Sequence, residues 1–180
     1  VITVLFWIVL SVSGSIPFIL FGFGVVDSFF ESMSGITTTG ATVIAGLDDL
    51  PKSLLIYRQL LQWLGGMGLI VLAIAVMPLL GIGGGQLFKT QTPGPMSEQR
   101  LTPRITSTAR ALWSIYFVLT VLCIFAYRLA GMSYFDAVSH AFSTVSIGGF
   151  STHDLSIGFF DSLSIEIVCI TFMLLSAMSF

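Results

Sequence analysis

Residues 27–50 read DSFFESMSGITTTGATVIAGLDDL, and residues 136–159 read DAVSHAFSTVSIGGFSTHDLSIGF. Each stretch opens on an Asp with about two turns of amphipathic sequence, then enters a run of Thr, Ser and Gly that suits no helix. Each also lies between long apolar runs. Residues 1–26 and 59–88 carry no charge, residues 111–127 are clean between Arg110 and Arg128, and residues 167–180 are again uncharged. A bilayer core about 30 Å thick takes about 20 apolar residues of helix. The runs therefore read as membrane helices, and the two stretches as outer loops of about 30 residues. Backbone that is neither helix nor closed barrel is tolerated at membrane depth only when buried in protein or lining a water-filled path.

Composition agrees. The chain has 180 residues, of which 55% are hydrophobic and 9% charged, with a mean hydropathy of +0.99. A soluble domain carries about 25% charged residues, so soluble and disordered classes are excluded. Seven basic against nine acidic residues give a net charge of −2. No basic patch exists to neutralise phosphates, which excludes nucleic acid. The first run lacks the basic flank and cleavage pattern of a signal peptide. Val1 in place of Met, and a last apolar run that is cut short, read as a piece of a longer chain. Cys123 and Cys169 lie in apolar runs and read as packed side chains, not as a disulfide or a metal site.

Charge placement orients the helices. Lys89, Arg100, Arg104 and Arg110 share one segment with a single acid, Glu98, so that segment is expected on the cytoplasmic side. The other acids, Asp27, Glu31, Asp48, Asp49, Asp136, Asp154, Asp161 and Glu166, accompany the remaining loops, which are expected outside. Residues 81–109 also hold helix-breaking Gly and Pro and read as a linker between a unit at 1–80 and a truncated unit at 110–180. The string GIGGGQ at 81–86 lacks both the spacing and the preceding strand of a dinucleotide fingerprint.

The two units are repeats. Sliding the chain by 109 residues superposes Gly22 on Gly131, Asp27 on Asp136, Ser34 on Ser143 and Gly40 on Gly149 without a gap. Trp7, Phe18, Thr37 and Thr42 fall on Tyr116, Tyr127, Ser146 and Ser151. Both units begin on an inside-to-outside helix, so the repeats are parallel. The expected build is helix, short re-entrant helix, extended strand, helix, giving an all-α membrane protein of two helix–pore-loop–helix repeats.

A cation entering a membrane must replace its lost water ligands, and backbone carbonyls can do so. Residues 27–35 and 136–144 are the expected pore helices, with Asp27 and Asp136 as their N-terminal caps and not as ion ligands. Carbonyls of Thr38 and Thr39, and of Ile147 and Gly148, are the expected lining, each pair just before the aligned Gly40 or Gly149. Thr37 and Ser146 complete the two walls. The side chains of Thr38 and Ile147 would then point into packing. Outer acids would concentrate cations at the mouth.

The strings SGITTTGAT, RQLLQWLGGMGLIVLAIAVMPLL and FSTVSIGGFSTHD resemble the Trk/Ktr/HKT superfamily of potassium transporters. The resemblance covers essentially the whole chain. It implies a bacterial inner-membrane, multi-pass protein that takes up potassium, with no enzyme activity and no cofactor. It implies a pore of four non-identical repeats in one chain, of which this sequence resembles the first two. Gly40 and Gly149 correspond to the family's filter glycines, and potassium or rubidium would bind only at the filter. Homodimerisation, membrane lipid and a cytosolic nucleotide-binding ring, TrkA, are the implied partners, and the family's gating loop would lie beyond Phe180. The alternative is a secondary solute transporter with broken helices, whose repeats are often inverted. A membrane protease is disfavoured, because no HExxH occurs and Ser143 near His140 is a poor nucleophile pair.

Other residues receive local readings. His153 and Asp154 read as a solvated pair at the outer mouth. His140 falls on the position of Glu31, and both read as hydrogen-bonding supports of their loops. Arg58, Arg128 and Glu166 read as helix-end residues reaching the interface. Gly65, Gly66 and Gly68 mark close helix approach, and Pro78 a kink or stop.

Overall fold

The computed structural model describes residues 2–76 and 101–179. Pro78, the 81–86 string, Lys89, Glu98 and Arg100 lie outside the described residues. Among the described residues six α-helices follow one another: α1 Ile2–Phe21, α2 Val25–Ile36, α3 Lys52–Val76, α4 Leu101–Leu129, α5 Tyr134–Val145 and α6 Leu163–Ser179. Short 3-10 turns at Leu47–Asp49 and Ser156–Phe160 precede α3 and α6. No strand occurs among the described residues.

The order is long helix, short helix, irregular loop, helix, twice over. Apolar windows at Val4–Phe21 and Ala109–Leu129 are long enough to cross a bilayer. Their outward faces are apolar, with Val9, Leu20, Phe125 and Leu129 exposed, whereas the interior buries Ser11, Glu31, Arg58, Gln59, Gln62 and His140. Polar groups inside and apolar groups outside is the arrangement of a protein whose solvent is lipid. Helix α4 begins at Leu101, within the segment expected to be linker up to 109. Pro103 stands in its first turn, where a missing N–H costs nothing.

Each unit folds the short helix against its own long helix, and α3 joins the units by packing on α2 and on α5 as well. Two apolar clusters result. Phe18, Ile36, Ile44 and Leu61 centre the first, and Met67, Tyr116, Tyr127 and Val145 the second. The tyrosines carry hydroxyls inward: Tyr116 donates to the Trp63 carbonyl at 2.9 Å, and the Tyr127 hydroxyl lies 2.7 Å from Thr144 Oγ1.

The glycines of α3 set how closely these helices meet. A Cβ on Gly65 would stand 1.9 Å from the carbonyl oxygen of Ile36, the last residue of α2. A Cβ on Gly66 would stand 3.0 Å from Ser146 Cβ, just past the end of α5. One two-residue step on α3 thus seats the ends of both short helices. Gly68 has only Trp7 nearby, at 3.8 Å. Gly65→Ala is therefore expected to lower stability by about 1–3 kcal/mol through overpacking. Gly68→Ala is expected to stay within about 0.5 kcal/mol of the parent. Thermal melts in detergent check the pair, and equal melts would contradict the contact.

Candidate functional site

The site is built where the short helices end. Helix α2 closes with Thr38 N–H donating to the Gly35 carbonyl at 3.0 Å and Thr39 N–H to the Ser34 carbonyl at 2.9 Å. Helix α5 closes with Ile147 N–H on the Thr144 carbonyl at 3.1 Å and Gly148 N–H on the Ser143 carbonyl at 2.8 Å. This is the Schellman pattern, whose first residue past the cap is left-handed and usually Gly. Helices α1 and α4 end the same way on Gly22 and Gly131, with φ of 107° and 110°. At the short helices the left-handed residues are instead Thr38 and Ile147, both at φ 55°. A β-branched side chain there costs about 1–3 kcal/mol, and such strain gathers at functional sites.

Two residues on, Gly40 and Gly149 have φ of 75° and 85°. Left-handed residues at every second position cannot run as a ladder strand, which is why the expected extended strands are absent. The trans peptide holds each carbonyl opposite the following N–H. Thr39 and Gly148 aim their N–H groups back at the helix ends, so the carbonyls of Thr38 and Ile147 face away from them. Among the described residues nothing donates a hydrogen bond to the carbonyls of Thr38, Thr39, Ile147 or Gly149.

The two loops meet. A Cβ on Gly40 would lie 2.0 Å from the Gly148 carbonyl oxygen and 3.5 Å from Gly149 Cα. The Gly148 carbonyl differs from its neighbours in accepting from Gln62 Nε2 at 2.7 Å, which leaves one lone pair. Ile147 is 43% exposed and Thr38 half-buried. Ile147 borders a cavity that Ile157 of the second 3-10 turn and Cys169 and Met173 of α6 also line. Thr37 Oγ1 donates to the Met33 carbonyl at 2.7 Å, and Ser146 Oγ to that of Ser143 at 3.2 Å.

Behind the loops lies a polar layer. Glu31 carboxylate oxygens accept from Thr42 Oγ1 at 2.9 Å and 3.0 Å and from Val43 N–H at 3.3 Å. The matched pair in the second unit is His140 Nε2 and Ser151 Oγ, 3.0 Å apart. Both thus support their loops as expected. Arg58 Nη2 sits 2.7 Å from Glu31 Oε1, with both side chains fully buried. This corrects the expectation that Arg58 reaches the interface. A buried carboxylate needs a cation, and Arg58 faces Glu31 from α3. Arg128 does remain exposed, over the Tyr134 ring at 4.3 Å.

The helix caps are also corrected. Gly24 is the N-cap of α2, with no side-chain cap bond. Ser133 caps α5 and accepts from Asp136 N–H at 3.1 Å. Asp27 and Asp136 sit in the first turns, where a carboxylate still suits the positive dipole end. His153 and Asp154 are not a loose solvated pair. Asp154 Oδ1 accepts from the N–H groups of Gly46 and Leu47 at 3.1 Å each. His153 Nδ1 is paired with Asp48. The bond to His153 holds the Asp48 carboxyl below the usual carboxylate range. These contacts strap one loop to the other.

The matches to known proteins follow this geometry. The family model described as "TrkH: Cation transport protein" matches residues 1–180. The chain belongs to the TrkH family. It is 59% identical over 182 residues to the Trk system potassium uptake protein TrkH of Halomonas elongata. It is 53% identical to the protein of that name from Escherichia coli strain K12. Each alignment covers 99% of this chain and 38% of the relative. The crystal structure of the potassium transporter TrkH from Vibrio parahaemolyticus has a TM-score of 0.83 and 55% identity, covering 97% of this chain and 35% of that one. This TrkH-family chain is thus a membrane protein whose regular structure is helical among the described residues, and it spans little more than a third of the curated relatives it matches.

The sequence places irregular loops after α2 and α5, where the structure has them, but it does not plainly reveal two supports, Arg58 and Gln62. Their signal was present: Arg58, Gln59 and Gln62 interrupt α3, and polar residues within a membrane helix face the protein interior. For the buried pair, Arg58→Met alone is expected to cost about 3–5 kcal/mol by stranding Glu31. Adding Glu31→Leu should recover more than half of that loss. A double-mutant cycle of detergent melts decides, and additive losses would show that the charges do not act as a pair.

Proposed function

We propose that the chain supplies two adjacent quarters of a potassium pathway in a Trk-type uptake protein of the bacterial inner membrane. Residues 37–40 and 146–149 each form one wall of a selectivity filter within a helix–pore-loop–helix repeat. The reading is carried by the doubled backbone. Each short helix ends on a strained left-handed Thr38 or Ile147 two residues before a left-handed glycine, with carbonyls left without donors. Those bare carbonyls are the chemistry that replaces a cation's water shell. The C-terminal, negative ends of α2 and α5 add favourable potential at the same place. The relatives' printed names, potassium uptake proteins, support potassium as the transported ion.

In this reading, units 1–80 and 110–180 are joined by a cytoplasmic segment at 81–109. Thr38, Thr39 and Gly40 make up one wall, and Ile147, Gly148 and Gly149 the other. Thr37 and Ser146 act as braces, since their hydroxyls turn back to the short helices. A homodimer and a cytosolic nucleotide-binding ring, TrkA, are the partners proposed by family resemblance.

Rubidium and sodium flux through the complete transporter polypeptide in liposomes tests the reading. Gly40→Ser and Gly149→Ser are expected to abolish rubidium flux or its preference over sodium. Gly40→Ser should also reduce the yield of monodisperse protein, because its Cβ meets the Gly148 carbonyl, whereas Gly149 has open space and loses only backbone freedom. Unchanged flux and preference in both variants would sink the filter.

A further inference from the structure

Gln62 belongs to the first unit, yet both ends of its amide are used by the second. Its Nε2 donates to the Gly148 carbonyl at 2.7 Å, and its Oε1 accepts from Phe150 N–H at 3.0 Å. The side chain is fully buried. A Cβ on Gly148 would fall 2.4 Å from Gln62 Cδ, so only glycine lets the amide lie against that peptide. One turn earlier on α3, Arg58 Nη1 donates to the Ser151 carbonyl at 3.2 Å, and its guanidinium lies 4.4 Å from the Phe150 ring centroid.

The consequence concerns Gly149, which lies between the two gripped groups. Gln62 holds the carbonyl before it and the N–H after it, and so fixes both peptide planes that flank a glycine at φ 85°. In a trans peptide the carbonyl of Gly149 stands opposite the Phe150 N–H. Because that N–H is turned to Gln62, the Gly149 carbonyl is turned away from α3. The Gly148 carbonyl is drawn toward α3 instead. Among the described residues the first loop has no equivalent grip. The positions 109 residues after Arg58 and Gln62 are Ile167 and Thr171, and the Thr171 hydroxyl donates to its own helix at 2.7 Å.

We propose that Gln62 is a positioning residue for ion preference, which makes the Gly149 carbonyl, and not that of Gly148, an ion-facing oxygen of the second wall beside that of Ile147. This rests on the filter reading above. Gln62 touches no ion. It acts through the peptide it orients, and a free peptide beside a positive-φ glycine could rotate and present an N–H to the path.

The test uses the complete transporter polypeptide in liposomes, with rubidium and sodium flux read against the parent at each pH. Gln62→Met keeps the bulk and removes both bonds. It is expected to lower the rubidium-over-sodium preference about tenfold in protein that stays monodisperse. Gln62→Glu is the second arm. Protonated, a carboxyl accepts from Phe150 N–H and donates its O–H to the Gly148 carbonyl, and so replaces the amide. Ionised, it can only accept and repels that carbonyl. Gln62→Glu is therefore expected to match the parent at low pH and lose preference as pH rises. The other titratable groups around the site, Arg58 on α3, Glu31 on α2, Tyr116 on α4 and His140 on α5, are common to both proteins and cancel in the ratio. A Gln62→Met protein with parental preference, or a Gln62→Glu ratio flat with pH, overturns the proposal. If Gln62→Met does not yield monodisperse protein, the pH arm decides alone. A parent that carries no rubidium or potassium would instead remove the filter reading on which the proposal stands.

Discussion

Backbone that leaves the helical form where water is excluded needs protein partners, and the polar side chains buried behind the two loops answer that constraint. The loops at 37–46 and 146–155 are held at several points by hydrogen bonds from the surrounding helices and from each other. The short-helix carbonyls receive the N–H groups of residues 37–39 and 146–148. Glu31 takes the Val43 N–H and the Thr42 hydroxyl. Gln62 takes the Phe150 N–H, and Asp154 takes those of Gly46 and Leu47. What this scheme leaves open is a short set of carbonyls. Among the described residues the loop N–H groups that are bonded use acceptors on the helices and loops, while the carbonyls of Thr38, Thr39, Ile147 and Gly149 receive no donor, the feature on which the proposed ion path rests.

The same backbone is supported by different chemistry in each unit. In the first, a carboxylate on the short helix needs Arg58 to offset its burial. In the second, His140 makes the matching hydrogen bond to Ser151, and the position matched to Arg58 is the apolar Ile167. A charge and its partner are present together or absent together, as the cost of an unpaired buried ion requires.

Much of this was legible in the sequence, for identifiable reasons. Apolar runs of sufficient length marked α1 and α4, and the 109-residue offset aligned the two loops because Gly, Asp and Ser matches are rare by chance in apolar sequence. The aligned Gly40 and Gly149 do occupy left-handed backbone. The left-handed Thr38 and Ile147 were not legible, since no propensity rule places a β-branched residue there. Nor was the pairing of Arg58 with Glu31, which depends on how α3 rotates against α2. The caps were misplaced by three residues at both short helices, because Asp at the third helical position and Asp at the cap leave similar traces.

The straps between the loops have a consequence for modularity. Arg58 and Gln62 reach forward to residues 148–151, while Asp154 and His153 reach back to residues 46–48. Each unit therefore carries side chains that reach into its neighbour. The repeats look interchangeable when superposed, but replacing the first with a copy of the second would put Ile and Thr where Arg58 and Gln62 stand, and the second loop would lose its grip. The two halves share one ground plan and have become a matched left and right hand, and a sequence change in either one is answerable to the other.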